Sequence, residues 1–216
     1  GEPWADEVSS LLLGLLELSG RRYLGRSLLA EAAAGAAAAG ASNSSSRQAA
    51  ATDPATGAVA AAAAPVASPP VAEEERAGVF WEAPFPLLVQ DDSPDALLEY
   101  VNRTGLQLLR LPSFQAATGG VSLAGLMDPQ HPPSHTDWAW ACSEALEKPE
   151  RHSTIPILRL RIPSSSSSSS APSSSPPTLV ELVRVTVFAV DSLEGEPIGV
   201  ALTAAEWRVL PGAGQG

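Results

Sequence analysis

The residues in this sequence with types and spacing suited to chemistry are two histidines and one cysteine. His131 and His135 are four positions apart, so on a helix both rings would lie on one side and could bind one metal ion. Pro132 and Pro133 between them disfavour a helix at that point, and no third ligand is evident. We therefore interpret the two histidines as loop residues and predict no metal site.

The cysteine, Cys142, falls in a segment where Trp138, Cys142, Ala145 and Leu146 recur at helical spacing. A free cysteine on the inner face of a helix usually packs as a small apolar side chain. The sequence contains no nucleophile elbow, phosphate-binding loop or HExxH motif, and no carboxylate pair stands out. We therefore predict no catalytic residues and no enzyme, and the sequence identifies no cofactor.

Charge and composition limit the partners of this chain. The 216 residues carry a formal net charge of −11, which argues against the basic surface that a nucleic-acid binder needs. A single cysteine excludes an intrachain disulfide framework and fits a reducing compartment such as the cytoplasm or a plastid. No apolar run approaches the ~20 residues that cross a bilayer. We expect neither nucleic acid nor a membrane as partner.

Biased composition divides the chain into three parts. Residues 1–29 form an N-terminal helical segment, residues 30–78 an Ala-rich linker, and residues 79–210 the core domain. Residues 164–177, rich in Ser and Pro, lie between two strand-like runs and resemble an expanded hairpin loop. Both biased tracts have few large apolar side chains, so we predict that they are disordered, low-complexity segments.

The N-terminal segment predicts a short helix with one apolar face. Ser9 or Ser10 is a suitable cap, and Gly20 is a suitable end. The apolar face consists of Leu11, Leu12, Leu15 and Leu16. Because such a helix is marginal on its own, it must dock on another element, and we expect it to cover one side of a sheet.

The core sequence predicts an α+β domain. "VFWEAPFPLLVQ" is interpreted as an edge strand because its prolines cannot donate to a ladder. "LLEYVN" predicts a second strand, after which Asn102 caps a short helix. A longer helix follows, with Ser134 and Asp137 at capping-box spacing. Three strands joined by turns complete an antiparallel sheet with short helices on one face.

This order of strands and helices resembles a PAS fold, and several motifs resemble the MEKHLA family, a PAS-like domain of plants, algae and cyanobacteria. The shared features are a Leu-rich N-terminal helix followed by Gly-Arg, an entrance motif, a Tyr-x-Asn-Arg turn and a Thr-x-aromatic strand. The matching positions here are Trp81, Glu82, Ala83, Pro84, Phe85, Tyr100, Asn102, Arg103, Thr186 and Phe188.

The resemblance implies a sensory or regulatory domain. In land plants the family's domain lies at the C-terminus of a class of homeodomain leucine-zipper transcription factors. This chain contains neither a homeodomain nor a leucine zipper, so DNA binding does not carry over. Light-sensing PAS relatives carry their flavin-binding cysteine on the short helix after the Asn turn. This chain has Thr104, Gly105 and Leu106 there, so Cys142 does not match that position.

Two functional hypotheses follow from the resemblance and the pattern. In the first, a small apolar or aromatic ligand binds between helices and sheet, in a pocket formed by Leu106, Leu109, Trp138 and Cys142. In the second, the domain has no ligand and binds a protein partner or a second copy, through its sheet face or N-terminal helix. Leu12 and Leu16 would then be contact residues.

Overall fold

The computed structural model describes residues 2–44, 75–163 and 176–210. Two short 3₁₀ turns, Pro3–Ala5 and Ala124–Leu126, accompany the helices and strands. The helices are α1 (Glu7–Leu24), α2 (Leu28–Ser44), α3 (Arg76–Trp81), α4 (Arg103–Leu109), α5 (Phe114–Thr118) and α6 (Pro132–Glu147). The strands are β1 (Leu87–Asp91), β2 (Leu98–Val101), β3 (His152–Ile162), β4 (Thr178–Asp191) and β5 (Pro197–Leu210).

The five strands form one sheet in the order β2-β1-β5-β4-β3, and each neighbouring pair is antiparallel. The predicted α+β, PAS-like architecture is therefore confirmed. One strand prediction was wrong in its bounds and its place. Residues 79–81 belong to α3, and β1 begins only at Leu87 and lies between β2 and β5 rather than at an edge. The prolines lie in the turn before the strand, where no ladder bond is lost.

Helices cover both faces of the sheet. On one face α6 packs against β3, β4 and β5, and on the other α1 packs against β4. Neighbouring residues of β1 mark the two sides, because successive strand residues point in opposite directions. Gln90 contacts Cys142 of α6, whereas Asp91 borders a groove beside α1. The expectation that the N-terminal helix covers the sheet is confirmed.

Helix α1 is longer than predicted. Its N-cap is Asp6, whose carboxylate accepts a hydrogen bond from Ser9 N at 2.7 Å, rather than Ser9 or Ser10. The helix continues through Gly20 and ends at Leu24, followed by the C-cap Gly25, which has a left-handed φ of 66°. Gly20 therefore lies inside the helix, and it packs closely on Leu28: a Cβ on Gly20 would be 3.2 Å from Leu28 Cδ1.

Helix α2 occupies the first part of the predicted Ala-rich linker. Leu28, Leu29 and Ala32 are buried in the core at its start. Further along, Gly35 lies against Pro84, and a Cβ on Gly35 would be 2.3 Å from Pro84 Cγ. Small residues in this tract therefore allow a close approach between α2 and the turn after α3. Residues 45–74 of the predicted linker lie outside the described residues.

The Ser/Pro-rich tract connects paired strands. Ile162 at the end of β3 pairs with Thr178 at the start of β4, so residues 164–177 join two antiparallel neighbours, as predicted for a hairpin loop. Residues 164–175 themselves lie outside the described residues.

Helix α6 begins earlier than the capping-box spacing suggested. Pro132 and Pro133 occupy its first positions, where a missing N–H costs nothing, so they start the helix instead of preventing it. Ser134 is buried inside the first turn, and its hydroxyl accepts a hydrogen bond from Arg159 N at 2.8 Å. The interpretation of both histidines as loop residues was therefore wrong for His135, which lies in the helix, whereas His131 precedes it with its Nδ1 2.7 Å from Ser134 Oγ. Ser134 therefore connects α6 to β3.

A buried carboxylate crosses the three long strands. Glu181 on β4 pairs with Arg159 on β3 and with Arg208 on β5. Arg159 Nε and Arg208 Nε each donate to the carboxylate at 2.8 Å. The hydrogen bond from Arg159, followed by that from Arg208, lowers the pKa of Glu181 despite its burial. The carboxylate therefore stays charged and holds the strands in register.

The contact between Gly35 and Pro84 predicts a specific sensitivity to substitution. Gly35→Ala would force a rigid proline ring away from α2, and we expect a loss of about 1–3 kcal/mol in the free energy of unfolding. Gly78→Ala is the matched control, because no atom lies within 4 Å of a Cβ there. The control should be neutral or gain up to about 1 kcal/mol from helix propensity. Chemical denaturation of the variants measures both, and equal effects would contradict the packing of α2.

Candidate functional site

The Asn102 side chain binds several backbone segments of the entrance motif together. The residue is fully buried at the start of α4. Its Oδ1 accepts hydrogen bonds from Gly105 N at 2.9 Å and from Leu87 N at 3.0 Å. Its Nδ2 donates to Phe85 O at 2.8 Å and contacts Phe80 O at 3.3 Å. The predicted cap of α4 is confirmed, and Asn102 also fixes the turn before β1.

The neighbours of Asn102 strengthen the same junction. The Thr104 hydroxyl donates to Ala83 O at 2.7 Å. Arg103 contacts both carboxylate oxygens of Glu82 at 2.9 Å. Five positions of the MEKHLA-like motifs therefore belong to this junction, and the part they play here is structural: Glu82, Ala83, Phe85, Asn102 and Arg103.

Two other motif residues belong to a row of aromatic rings. Trp81 stacks on Trp4 with centroids 4.9 Å apart, and its other neighbour is Phe114 at 6.4 Å. Tyr100 packs edge-on against Phe114 at 5.8 Å. Burial raises the pKa of the Tyr100 hydroxyl, which has no hydrogen-bond partner among the described residues. These rings join the N-terminal turn to the edge strand β2.

The remaining motif residues lie in two different places. Pro84 supports Gly35 of α2, as described above. Thr186 and Phe188 lie on β4, where Thr186 pairs with Thr203 and Phe188 pairs with Ala201. Phe188 is fully buried. The motif positions therefore do not converge on one pocket.

The four residues predicted to form a pocket are divided between two helices. Leu106 and Leu109 lie on α4, which packs on β1, whereas Trp138 and Cys142 lie on α6, which packs on β3, β4 and β5. The first three are buried in the core, and Cys142 is partly buried against it. The structure thus places all four in or beside one core but holds them over different strands.

Cys142 is a poor nucleophile in this setting. Desolvation by burial raises the pKa of its thiol to about 12. A thiol of this kind is protonated at neutral pH, and the thiolate is the reactive form. The expectation that Cys142 contributes packing rather than chemistry agrees with these surroundings.

Gln90 is the interior residue that the sequence analysis missed. It lies on β1 within the apolar run "PLLVQ", is 4 % exposed, and points toward α6. Its Nε2 is 3.8 Å from Cys142 Sγ, a weak contact at best, and Oε1 has no partner among the described residues. If the oxygen and nitrogen of this amide exchanged places, one amide atom would still lack a partner. A glutamine directly after three apolar strand residues, Leu87 to Val89, was the available signal.

Small side chains lie beside Gln90 on the same face. Gln90 pairs with Val200 of β5, and Val200 pairs with Ala189 of β4, so the three form one row across the sheet. Ala141 and Ala145 are fully buried on α6, on either side of Cys142 in the sequence. The helix–sheet interior around Gln90 therefore combines one unpaired amide with small apolar groups.

Open grooves flank α1 on the other face of the sheet. One, of about 450 Å³, lies between α1 and residues at the ends of β1 and β2, and is bordered by Leu11, Leu12 and Leu98. Another, of about 620 Å³, lies along α1 between Glu7 and Arg21 and is bordered by Arg76 and Leu193.

Among the described helices, none has both the length and the hydropathy to cross a bilayer.

Comparison with known proteins gave similarities to solved structures. No protein family matches this chain, and no curated protein sequence matches it. A PAS domain of a protein from Colwellia psychrerythraea is 14 % identical with a TM-score of 0.44, covering 63 % of this chain and 95 % of that one. A light-oxygen-voltage domain studied with a flavin analogue is 12 % identical with a TM-score of 0.43, covering 62 % and 84 %. A Rhodobacter sphaeroides LOV protein is 13 % identical with a TM-score of 0.40, covering 64 % and 65 %.

Removal of the Asn102 side chain should destabilise the domain severely. Asn102→Ala leaves several buried backbone groups unpaired, and we expect a loss of about 3 kcal/mol or more in the free energy of unfolding. Arg103→Ala removes the adjacent ion pair, whose side chains are 57 % and 51 % exposed, and should cost at most about 1 kcal/mol. Urea denaturation distinguishes the two, and comparable losses would refute the structural role of Asn102.

The Cys142 thiol should react slowly in the folded protein. With a pKa of about 12, its thiolate fraction at neutral pH is about a thousandfold below that of an ordinary thiol. Alkylation by iodoacetamide should therefore be slow in buffer, should accelerate with each pH unit while the fold persists, and should become rapid in denaturant. Mass spectrometry over time measures the rates. Rapid labelling of the folded protein at neutral pH would contradict the buried position.

Proposed function

We propose that this chain is a PAS-like regulatory module that binds a small ligand between α6 and the sheet, beside Gln90. The ligand is mainly apolar or aromatic and carries one hydrogen-bonding group for the Gln90 amide. Its binding is passed on through contacts with a protein partner, and the module itself catalyses no reaction. The buried Oε1 of Gln90, which has no hydrogen-bond partner among the described residues, is the observation that carries the proposal.

The cost of leaving Gln90 unpaired is the physical argument. A buried polar group without a partner destabilises a folded protein by about 1–3 kcal/mol, and an apolar residue at this position would remove that cost. By contrast, the buried Asn102 and Glu181 side chains have close polar partners. A ligand group that hydrogen-bonds to Gln90 would compensate for the cost only when the site is filled, which couples ligand binding to stability.

The surroundings of Gln90 indicate the class of ligand. Val200 and Ala189 present short side chains beside it, while Trp138 supplies a buried aromatic surface on α6. Ligand sites of this composition, apolar walls with a few polar groups, are typical of small-molecule binding. Leu106 and Leu109 lie on α4 over β1, the strand that carries Gln90. We therefore retain the four predicted pocket residues and add Gln90.

The regulatory assignment rests on the sheet order and on the motif resemblance. The motifs "WEAPF" and "YVNR" support membership of the MEKHLA family, because part of each, Glu82, Ala83 and Phe85 with Asn102 and Arg103, meets at the Asn102 junction. The contacts of that junction are structural in this chain. The family resemblance therefore supports the fold directly, and it supports the regulatory role only through the fold.

The first experiment is native mass spectrometry, with an absorption spectrum, of the 216-residue chain purified without denaturation. We expect an additional bound mass that is released on unfolding. Protein that carries no additional mass, and whose melting temperature is not raised by any compound of an apolar and aromatic small-molecule library, would overturn the ligand proposal.

A pair of variants tests the role of Gln90 itself. Gln90→Met keeps the length of the side chain and removes the unpaired amide, so the ligand-free protein should gain about 1–3 kcal/mol in free energy of unfolding while losing the bound mass. Gln107→Met is the matched control on the exposed side of α4 and should change neither property. If Gln90→Met instead destabilises the protein and retains the ligand, Gln90 is a structural residue.

A further inference from the structure

We infer that the last part of β5 pairs with the same part of a second copy, so that two sheets join edge to edge in a two-fold symmetric dimer. The contact is made by residues 204–210, with the sequence AAEWRVL, which we call the free edge. Two copies of this stretch are antiparallel in the dimer and are related by an axis at Trp207.

The free edge exists because β5 is longer than its neighbour β1. Strand β1 pairs with β5 only from Gly199 to Thr203, whereas β4 pairs with β5 as far as Leu210. On the side opposite β4, no strand among the described residues lies beside residues 204–210. Backbone N–H and C=O groups on that side of a strand are available to another strand, which is how edge strands recruit a partner.

Exposure separates the free edge from the rest of the sheet. Residues 205–209 are five exposed positions in a row, and each of the other strands has at most two. Two of the five are large apolar side chains, Trp207 at 39 % and Val209 at 59 %. Their cross-strand neighbours on β4 are Leu182 and Val180, both buried. The apolar surface of the core therefore continues onto an uncovered strand, as expected at a contact surface.

The order of residues along the free edge is complementary to itself. Trp207 lies in its centre, three positions from each end. An antiparallel copy rotated about Trp207 places Glu206 opposite Arg208 twice and the two indole rings opposite each other. Cross-strand pairs of opposite charge and of aromatic rings stabilise antiparallel sheets. A parallel copy in register would place Glu206 beside Glu206 and Arg208 beside Arg208, which is repulsive.

The two charged side chains can each accept a further partner. Arg208 donates to the buried Glu181, which fixes its direction, and its side chain remains 66 % exposed. A guanidinium has five N–H donors, so donors remain for a carboxylate of another chain. Glu206 pairs with Arg184 and is 64 % exposed, and a carboxylate accepts several hydrogen bonds. The dimer would therefore extend these ion pairs without breaking them.

The distribution of charge favours a second copy at this end of the molecule. Two chains with a net charge of −11 each repel one another. The ion pairs around the free edge run against that trend, because three arginines and two glutamates give 3 − 2 = +1: Arg159, Arg184, Arg208, Glu181 and Glu206. Charged residues on an edge strand often prevent pairing, but here opposite signs meet across the axis. Repulsion between copies is therefore weakest where the complementary residues lie.

The N-terminal helix does not supply the contact that the sequence analysis expected. Leu12 and Leu16 are 9 % and 0 % exposed and pack into the core, so they cannot be the contact residues of a dimer. The free edge is also separate from Gln90, because Gln90 pairs with Val200 in the first half of β5. The inferred dimer is therefore independent of a ligand beside Gln90.

Sedimentation velocity of the 216-residue chain over a concentration series tests the dimer. We expect a concentration-dependent shift from one 22.2 kDa chain to two. Glu206→Arg should raise the dissociation constant at least about tenfold, because it places two arginines opposite each other at both ends of the pairing. Glu150→Arg is the matched control: Glu150 is exposed in the turn before β3, and both variants change the net charge from −11 to −11 + 2 = −9. The control should dimerise as well as the wild type, and both variants should keep its circular dichroism. A monomer at every concentration, or a dimer that Glu206→Arg does not weaken, would overturn the inference.

Thiol cross-linking tests the antiparallel arrangement. In a Cys142→Ala background, Ala205→Cys and Val209→Cys proteins mixed with a short thiol cross-linker should give mainly the mixed dimer, because Ala205 lies opposite Val209 across the axis. Each variant alone should react poorly with itself, because its two thiols would be about 14 Å apart along the strands. Cross-linking of each variant with itself would indicate parallel strands. That result, or another polypeptide cross-linked in place of the second copy, would overturn the inference.

Discussion

The buried amide of Asn102 is the interaction on which the entry to this domain depends. It lies where α3, the following turn, β1 and α4 meet, and it supplies both acceptors and donors to their backbones. A strand that begins next to a helix start leaves backbone groups that neither element can satisfy alone. One side chain with two acceptor sites and two donors satisfies several of them at once. The register of β1, and with it the direction of Gln90, follows from this junction.

Two further carboxylates attach the N-terminal helices in a comparable way. Glu17 of α1 accepts hydrogen bonds from Ser27 Oγ at 2.6 Å and from Leu29 N at 2.9 Å, so it caps the start of α2. Asp191 of β4 binds the Tyr23 hydroxyl, and its backbone N–H donates to Ser19 Oγ at 3.0 Å. These polar contacts fix the rotation of α1 about its axis. That rotation buries one row of leucines and leaves the opposite row to solvent.

Two ways of burying polar groups are present in the same molecule. Asn102 and Glu181 have close partners, and their hydrogen bonds hold segments that are distant in sequence. Gln90 has an unpaired atom and connects only weakly to Cys142. The first kind stabilises the fold, whereas the second costs stability in the empty protein. In the proposed regulatory role, a ligand would stabilise the state in which the amide is paired.

The sequence by itself determined the local features of this protein: the cap at Asn102, the helix containing Trp138 and the three antiparallel strands of the C-terminal part. These depend on turn chemistry and on periods of two or 3.6 residues, which neighbouring positions fully specify. Tertiary structure alone decided that the Ala-rich stretch continues as α2, that Gly35 meets Pro84, and that Leu11 rather than Leu12 faces solvent. It also decided that Oε1 of Gln90 has no partner among the described residues. Each of these depends on atoms far apart in the chain, and an alanine-rich or leucine-rich segment carries too little pattern to specify which distant partner it will contact.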